Sequence, residues 1–153
     1  MRSIYEAHSE ADVAFTTAKS VFGVKADSGH AIDLLALAFS LDSVTAAEAG
    51  VLIELCTASF ATNAPGTNST AVTIHNASGP RIAETFAAAR NWTTEPTALV
   101  SLKGLEYDPY KFIYENPFPL GEGYDFALAE GFVLRCTAAA TVNIRVHARW
   151  ARV

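Results

Sequence analysis

Any chemistry in this chain must come from a small set of side chains. Glu122, Asp125 and Glu130 stand close together in a glycine-bearing stretch, and a pair of carboxylates is what glycoside hydrolysis needs. Spacing along the chain does not supply the carboxyl separation such a site requires, so these acids read first as a soluble loop. Asp125 could ligate calcium, but no loop alternates oxygen donors as a calcium loop does. His8, His30, His75 and His147 are scattered. None has a second histidine at i+2 on a strand or i+4 on a helix, the local spacings that bring two imidazoles to one metal. Only His147 is notable, flanked by Arg145 and Arg149 at strand spacing. Two such cations disfavour a protonated ring, one ingredient of a pH switch, although a solvated or interface strand face is the plainer reading. No phosphate-cradling glycine loop and no nucleophile elbow occurs, and the glycines of PGTN and PLGEG fall between strands, where they serve turns. The expectation is a protein that is not an enzyme, with no catalytic residue, no metal and no cofactor.

Aromatic residues offer a different chemistry. Tyr107, Tyr110, Phe112, Tyr114, Phe118, Tyr124 and Phe126 crowd one stretch, and with Trp92 they could build a sugar-stacking platform. The same flat, amphipathic side chains are enriched in subunit contacts. That second reading is favoured here, with Phe112 and Phe126 in the core and the tyrosines at a contact. The candidate interface is therefore Trp92, Tyr107, Tyr110, Tyr114 and Phe118, the tyrosine that follows Ile4 (Tyr5), and the polar face of Arg145, His147 and Arg149.

Strands must position these groups. Phe132, Leu134 and Cys136 alternate with Val133, Arg135 and Thr137; Val142, Ile144, Val146 and Ala148 alternate with Asn143, Arg145, His147 and Arg149. Period two puts one set on each face, which predicts a half-buried antiparallel pair at the C-terminal end. Val13–Ala26 reads as a strand ending at the turn Asp27-Ser28-Gly29. Ala31–Leu41 is apolar in both parities, so it predicts a central strand covered on both sides, with a neighbouring subunit as one candidate cover; a buried helix is the alternative. Residues 43–50 read as a loop or helical turn, Val51–Ser59 as a strand, and 61–68 as a loop. A strand over 69–75, a turn at 76–80, strands over 98–107 and 111–115, and a long loop over 116–124 follow. Residues 81–90 are ambiguous between a short helix, through Ile82, Phe86 and Ala89, and an irregular excursion. Roughly eight strands separated by turn signals point to an all-β fold, an antiparallel β-sandwich or jelly roll.

Bulk properties narrow the class. At 153 residues the chain is one domain; it is 50% hydrophobic and only 18% charged, which suggests that some apolar surface is covered by other subunits. A formal charge of −5 argues against a non-specific nucleic-acid binder. No apolar run approaches the roughly twenty residues of a membrane span, and the N-terminus carries acids where a signal peptide needs an apolar core. Synthesis in the cytoplasm without an export signal is the expectation. Under those conditions Cys56 and Cys136 are expected as buried free thiols, and the sequons at Asn68, Asn76 and Asn91 as unmodified.

From about Thr17 onward the segments TAKSVFGVKA, VLIELCTASF, NSTAVTI, NWTTEPTA, FPLGEGYDF and GFVLRCTAAATVNIRVHARW resemble small structural proteins of tailed bacteriophages. The resemblance implies a jelly-roll domain over 17–153, like that of tumour-necrosis-factor-like trimers. It implies a capsid decoration (cement) protein on the virion surface, binding the major capsid protein and its own copies, most simply as a homotrimer. A tail or tail-fibre jelly roll and a carbohydrate-binding module are the alternatives. Residues 1–16 lie outside the resemblance. With mixed charge and few core anchors they are expected to be an extended N-terminal arm that orders on binding.

Overall fold

The computed structural model describes residues 2–43, 49–80, 82, 85–118 and 123–153. Among these the chain forms β1 (Ile4–His8), β2 (Val13–Phe15), β3 (Lys19–Lys25), β4 (Ile32–Asp42) and β5 (Val51–Ala58). It continues with β6 (Thr70–Ala71), β7 (Ile74–Ser78), β8 (Ala87–Arg90) and β9 (Val100–Tyr107). The last four are β10 (Ile113–Pro117), β11 (Tyr124–Phe126), β12 (Gly131–Thr137) and β13 (Val142–Arg152). They build two antiparallel sheets. One has seven strands in the order β10-β4-β13-β1-β7, with β11 also on β4 and β2 on β13; the other has six in the order β6-β8-β3-β12-β5-β9. The fold is an all-β antiparallel sandwich.

The alternation on β13 sets the inside of the first sheet. Val142, Ile144, Val146, Ala148 and Trp150 are buried between the sheets, while Arg145 and Arg149 are exposed on the outer face. Trp150 packs edge-on to Phe86 at 6.1 Å and beside Tyr5 at 6.4 Å. Each such burial contributes on the order of 1.5–3 kcal/mol. The two C-terminal strands do not pair with each other. β12 lies between β3 and β5 in one sheet, and β13 lies between β4 and β1 in the other. The short link 138–141 crosses the sandwich instead of turning a hairpin.

The two-sided apolarity of β4 has an internal cause. Against β13 the register runs Leu37↔Ala148 and Ala36↔Arg149, then jumps to Leu34↔Trp150, leaving Leu35 as a bulge. Side chains swap faces across such an extra residue. Leu41, Phe39 and Leu37 therefore point inward on one side of it, and Leu34 and Ile32 on the other. No neighbouring subunit is needed to explain the pattern.

Residues 2–16 do not extend away as an arm. β1 sits inside the first sheet between β13 and β7, and Tyr5 and Ala7 are buried. Alternating Tyr5 and Ala7 suffice to anchor it, because β13 and β7 supply hydrogen-bonding edges on both sides. Two other expected single strands are corners where the chain changes sheets: 13–26 divides into β2 and β3, and 69–75 into β6 and β7. The ambiguous 81–90 segment ends in a strand, β8, paired with β3; residues 81, 83 and 84 lie outside the described residues, as do 44–48 of the expected 43–50 loop and 119–122 of the expected 116–124 loop.

A second, smaller core lies on the outer face of the six-stranded sheet, where Cys56, Ala58, Phe60, Ala89, Trp92 and Val133 are covered by the loops around 59–69 and 91–99. The indole N–H of Trp92 donates to Asn63 O at 2.8 Å, and the Asn63 side-chain amide donates to Glu95 O at 2.9 Å. Phe60 N donates to Thr97 O at 2.9 Å and Thr93 N to Asn68 O at 2.8 Å. Gly23 makes room for the indole: a Cβ there would lie 2.7 Å from Val133 Cγ1 and 3.1 Å from Trp92 Cη2.

Candidate self-association surface

One side of the sandwich is left open. β9 is the edge of the six-stranded sheet, and β10 is the edge of the other. Val100, Leu102 and Leu105 of β9 are 58%, 43% and 48% exposed, and Ile113 of β10 is 71% exposed. Register places Leu105 opposite Ile53 and Tyr107 opposite Val51, both inward-facing, so the gap between the sheets is incompletely covered along this edge. A long exposed apolar edge strand is normally protected, because its free N–H and C=O groups invite pairing. Lys103, opposite the inward-facing Leu55, supplies part of that protection here.

Aromatic side chains line the seam behind this edge. Phe39 stacks on Tyr114 at 4.8 Å and meets Tyr107 edge-on at 5.1 Å; Tyr107 lies 5.3 Å from Phe112, and Phe118 meets Tyr124 at 5.5 Å. Burial lifts the Tyr107 hydroxyl above its ordinary pKa, and the neighbouring Tyr114 adds to the shift, so it stays a neutral donor. The crevice between these rings encloses only about 20 Å³. Ligand sites for drug-sized molecules run to roughly 300–1,000 Å³, so the seam suits a covering surface better than an inserted sugar ring.

The expected contact residues fall into three groups. Tyr107, Tyr114 and Phe118 meet at the seam, and Tyr110, 46% exposed, lies on the link between β9 and β10. Arg145, His147 and Arg149 occupy the outer face of the seven-stranded sheet, away from the seam. Arg145 Nε pairs with Asp12 at 2.5 Å, and His147 Nε2 lies 3.5 Å from Glu6. Trp92 and Tyr5 are not surface residues: both are buried, Trp92 under its loops and Tyr5 with its hydroxyl donating to Ile82 O at 3.2 Å. A sugar platform built on Trp92 is thereby lost. The sequence reading missed Val100, Leu102, Leu105 and Ile113. The only available signal for the β9 residues was the irregular spacing of Val100, Leu102 and Leu105, which follows from a register shift against β5 that leaves Leu102 as an extra residue.

The other sequence candidates stay apart. Asp125 and Glu130 are exposed on β11 and the following turn, and Glu122 lies outside the described residues. Both cysteines are free: Cys136 lies between the sheets, and Cys56 lies in the second core. A cleft of about 480 Å³ is lined by residues 14–19, Trp92, Thr93, Glu95 and Thr141. Its one carboxylate, Glu95, is committed to Ser20, whose backbone N–H donates to it at 2.8 Å and whose hydroxyl also donates to it. On the outer face of the six-stranded sheet, Glu54 pairs with Arg135 at 3.1 Å. Burial alone would raise the Glu54 carboxyl, but hydrogen bonds from Arg135 and Ser101, with the guanidinium charge, hold it below the usual value.

With this geometry in view, comparison with known proteins adds nothing. No protein family, curated protein or solved structure matches the chain. The candidate surface rests on the fold itself.

Proposed function

We propose that this chain is a non-enzymatic structural protein of a phage virion, a capsid decoration protein that binds the major capsid lattice and associates with its own copies, most simply as a homotrimer. The observation that carries the self-association is the open side of the sandwich, with Leu105 exposed in front of an aromatic seam and Ile113 exposed beside it on the outer face of β10, opposite Ser40. A second copy is the occupant that fits. The edge pairs apolar contacts with both signs of charge, Lys103 and Lys111 beside Glu106 and Glu115, so it can be complementary to itself. The total accessible area of 7496 Å² is close to the roughly 7,500 Å² of a compact monomer of this mass, so the unusual feature is where the apolar surface lies, not how much there is. Burying about 800 Å² per copy along this edge would be a standard stable interface.

Assignment to a capsid is supported by the sequence resemblance to tailed-phage structural proteins. A jelly-roll reading is supported by the way consecutive strands repeatedly cross between the two sheets. Closed rotational symmetry would hide the edge in every copy. Sedimentation of Leu105→Lys and Ile113→Lys variants tests the association: each should run as a monomer while keeping a β-rich circular-dichroism spectrum. Imaging of intact particles tests the placement, because density for the chain in the tail rather than the shell would remove the decoration role.

A further inference from the structure

We propose that His8 and His147 form a two-histidine binding site for a late first-row divalent ion such as Cu2+, Ni2+ or Zn2+, clipping the N-terminal strand to the C-terminal one. His8 and His147 are far apart in sequence but directly opposite each other on β1 and β13, with Glu6 opposite Arg149 one row along the same face. The ladder fixes what kind of row this is. Ser9 N donates to Val146 O at 2.9 Å, and Arg152 N donates to Ser3 O at 3.1 Å. These are hydrogen-bonded rows, so the alternating rows of His8 and Glu6 are non-hydrogen-bonded ones. In such rows the Cα atoms stand only about 4.5 Å apart, and side chains approach most closely.

Two imidazoles leaving one sheet face at that spacing can reach a single ion, and imidazole nitrogen suits the later first-row metals. Glu6 lies two residues before His8 on the same face, and its Oε2 is 3.5 Å from His147 Nε2. Both side chains are open to solvent, 38% and 44% exposed. A shallow groove of about 240 Å³ runs alongside, lined by His8, Ala38, Ser40, Ile113, Glu115 and His147, and leaves room for metal-bound water.

Surrounding charges decide how tight the site is. Arg145 is held by Asp12, Arg149 faces Glu6 across the strands, and His75 of β7 is opposite Glu6 on the other side. β4 contributes only Ala36, Ala38 and Ser40 to this part of the face, and β10 contributes Glu115. Among the described residues no group of three histidine, cysteine or carboxylate side chains is placed to hold a metal ion, so the protein supplies the histidine pair and water completes the coordination. His8 Nδ1 also accepts a 3.0 Å bond from Glu10 N. Capture therefore turns side chains and exchanges that bond, which makes this a moderate-affinity site.

One equivalent of Cu2+ added at about pH 7.5 to the full chain, read by electron paramagnetic resonance, should show coupling to two nitrogens. H8Q and H147Q should each lose the second nitrogen, while H30Q and H75Q keep it. Ni2+ should raise the melting temperature of the wild-type chain but not of H8Q, since the ligands join two strands. All four histidines are at least partly exposed, so the variants should fold; metal-free melting curves check this. A one-nitrogen spectrum, or a two-nitrogen spectrum that survives in H8Q, overturns the site.

Discussion

Replacing Tyr5 by alanine separates a sheet strand from an arm. The ring is fully buried, meets Phe86 edge-on at 5.4 Å and Trp150 at 6.4 Å, and its hydroxyl donates to Ile82 O at 3.2 Å. Deleting a buried aromatic of this kind costs about 3–5 kcal/mol through lost transfer free energy and the cavity left behind. For a domain of this size each kcal/mol moves the melting temperature by roughly 2–4 °C, so Tyr5→Ala should melt about 6–20 °C lower. Tyr5→Phe removes only the hydroxyl bond and should cost about 0.5–1.5 kcal/mol. Urea unfolding at one fixed protein concentration measures both, since self-association would otherwise shift the curves. If Tyr5→Ala changed stability by less than about 0.5 kcal/mol, as an exposed residue would, the placement of β1 inside the sheet would be wrong.

Other perturbations test other parts of the fold. The depressed Glu54 carboxyl contributes stability that is present above the ordinary value of 4.5 and lost as pH falls through its lower folded value. Glu54→Gln should therefore flatten the acid limb of the stability–pH curve, and an unchanged limb would rule out the pairing with Arg135. Burial pushes the Cys136 thiol far above its ordinary pKa and raises that of Cys56. Neither should react with a thiol reagent in the native state, and both should react in guanidinium; rapid native labelling would contradict their burial. A Cβ at Gly131 would lie 1.9 Å from Val24 O, across the β3–β12 pair. Gly131→Ala should lose at least the 1–3 kcal/mol typical of overpacking, measured by the same urea titration, and a neutral result would refute that close approach.

Legibility from the sequence followed the reach of the pattern. The alternation of Val142 to Ala148 gave β13 with its faces correctly assigned, because a half-buried strand writes its environment at period two. Where strands are buried on both sides, as at Gly131–Leu134, the pattern vanishes, and the partner sheet cannot be read. The bulge at Leu35 is invisible too: it is one residue's departure from register, and its only trace is a mixture of parities that equally suits a covered strand. Tyr5 and Ala7 carried too little apolar content to announce β1, whose stability comes from neighbours distant in sequence. For the candidate surface, the aromatic run over 107–126 was legible as composition. The exposure of Leu105 and Ile113 was not, because it depends on which strands end up at the sheet edges. The His8–His147 row likewise exists only once β1 and β13 are paired.

The central claim is that the open edge formed by β9 and β10 is covered by further copies of the same chain. Sedimentation velocity of the wild-type chain at neutral pH tests it most directly. The account predicts a species of three chains, each 16.3 kDa, that Leu105→Lys converts to one. A wild-type chain that sediments as a 16.3 kDa monomer at every concentration tested would contradict it.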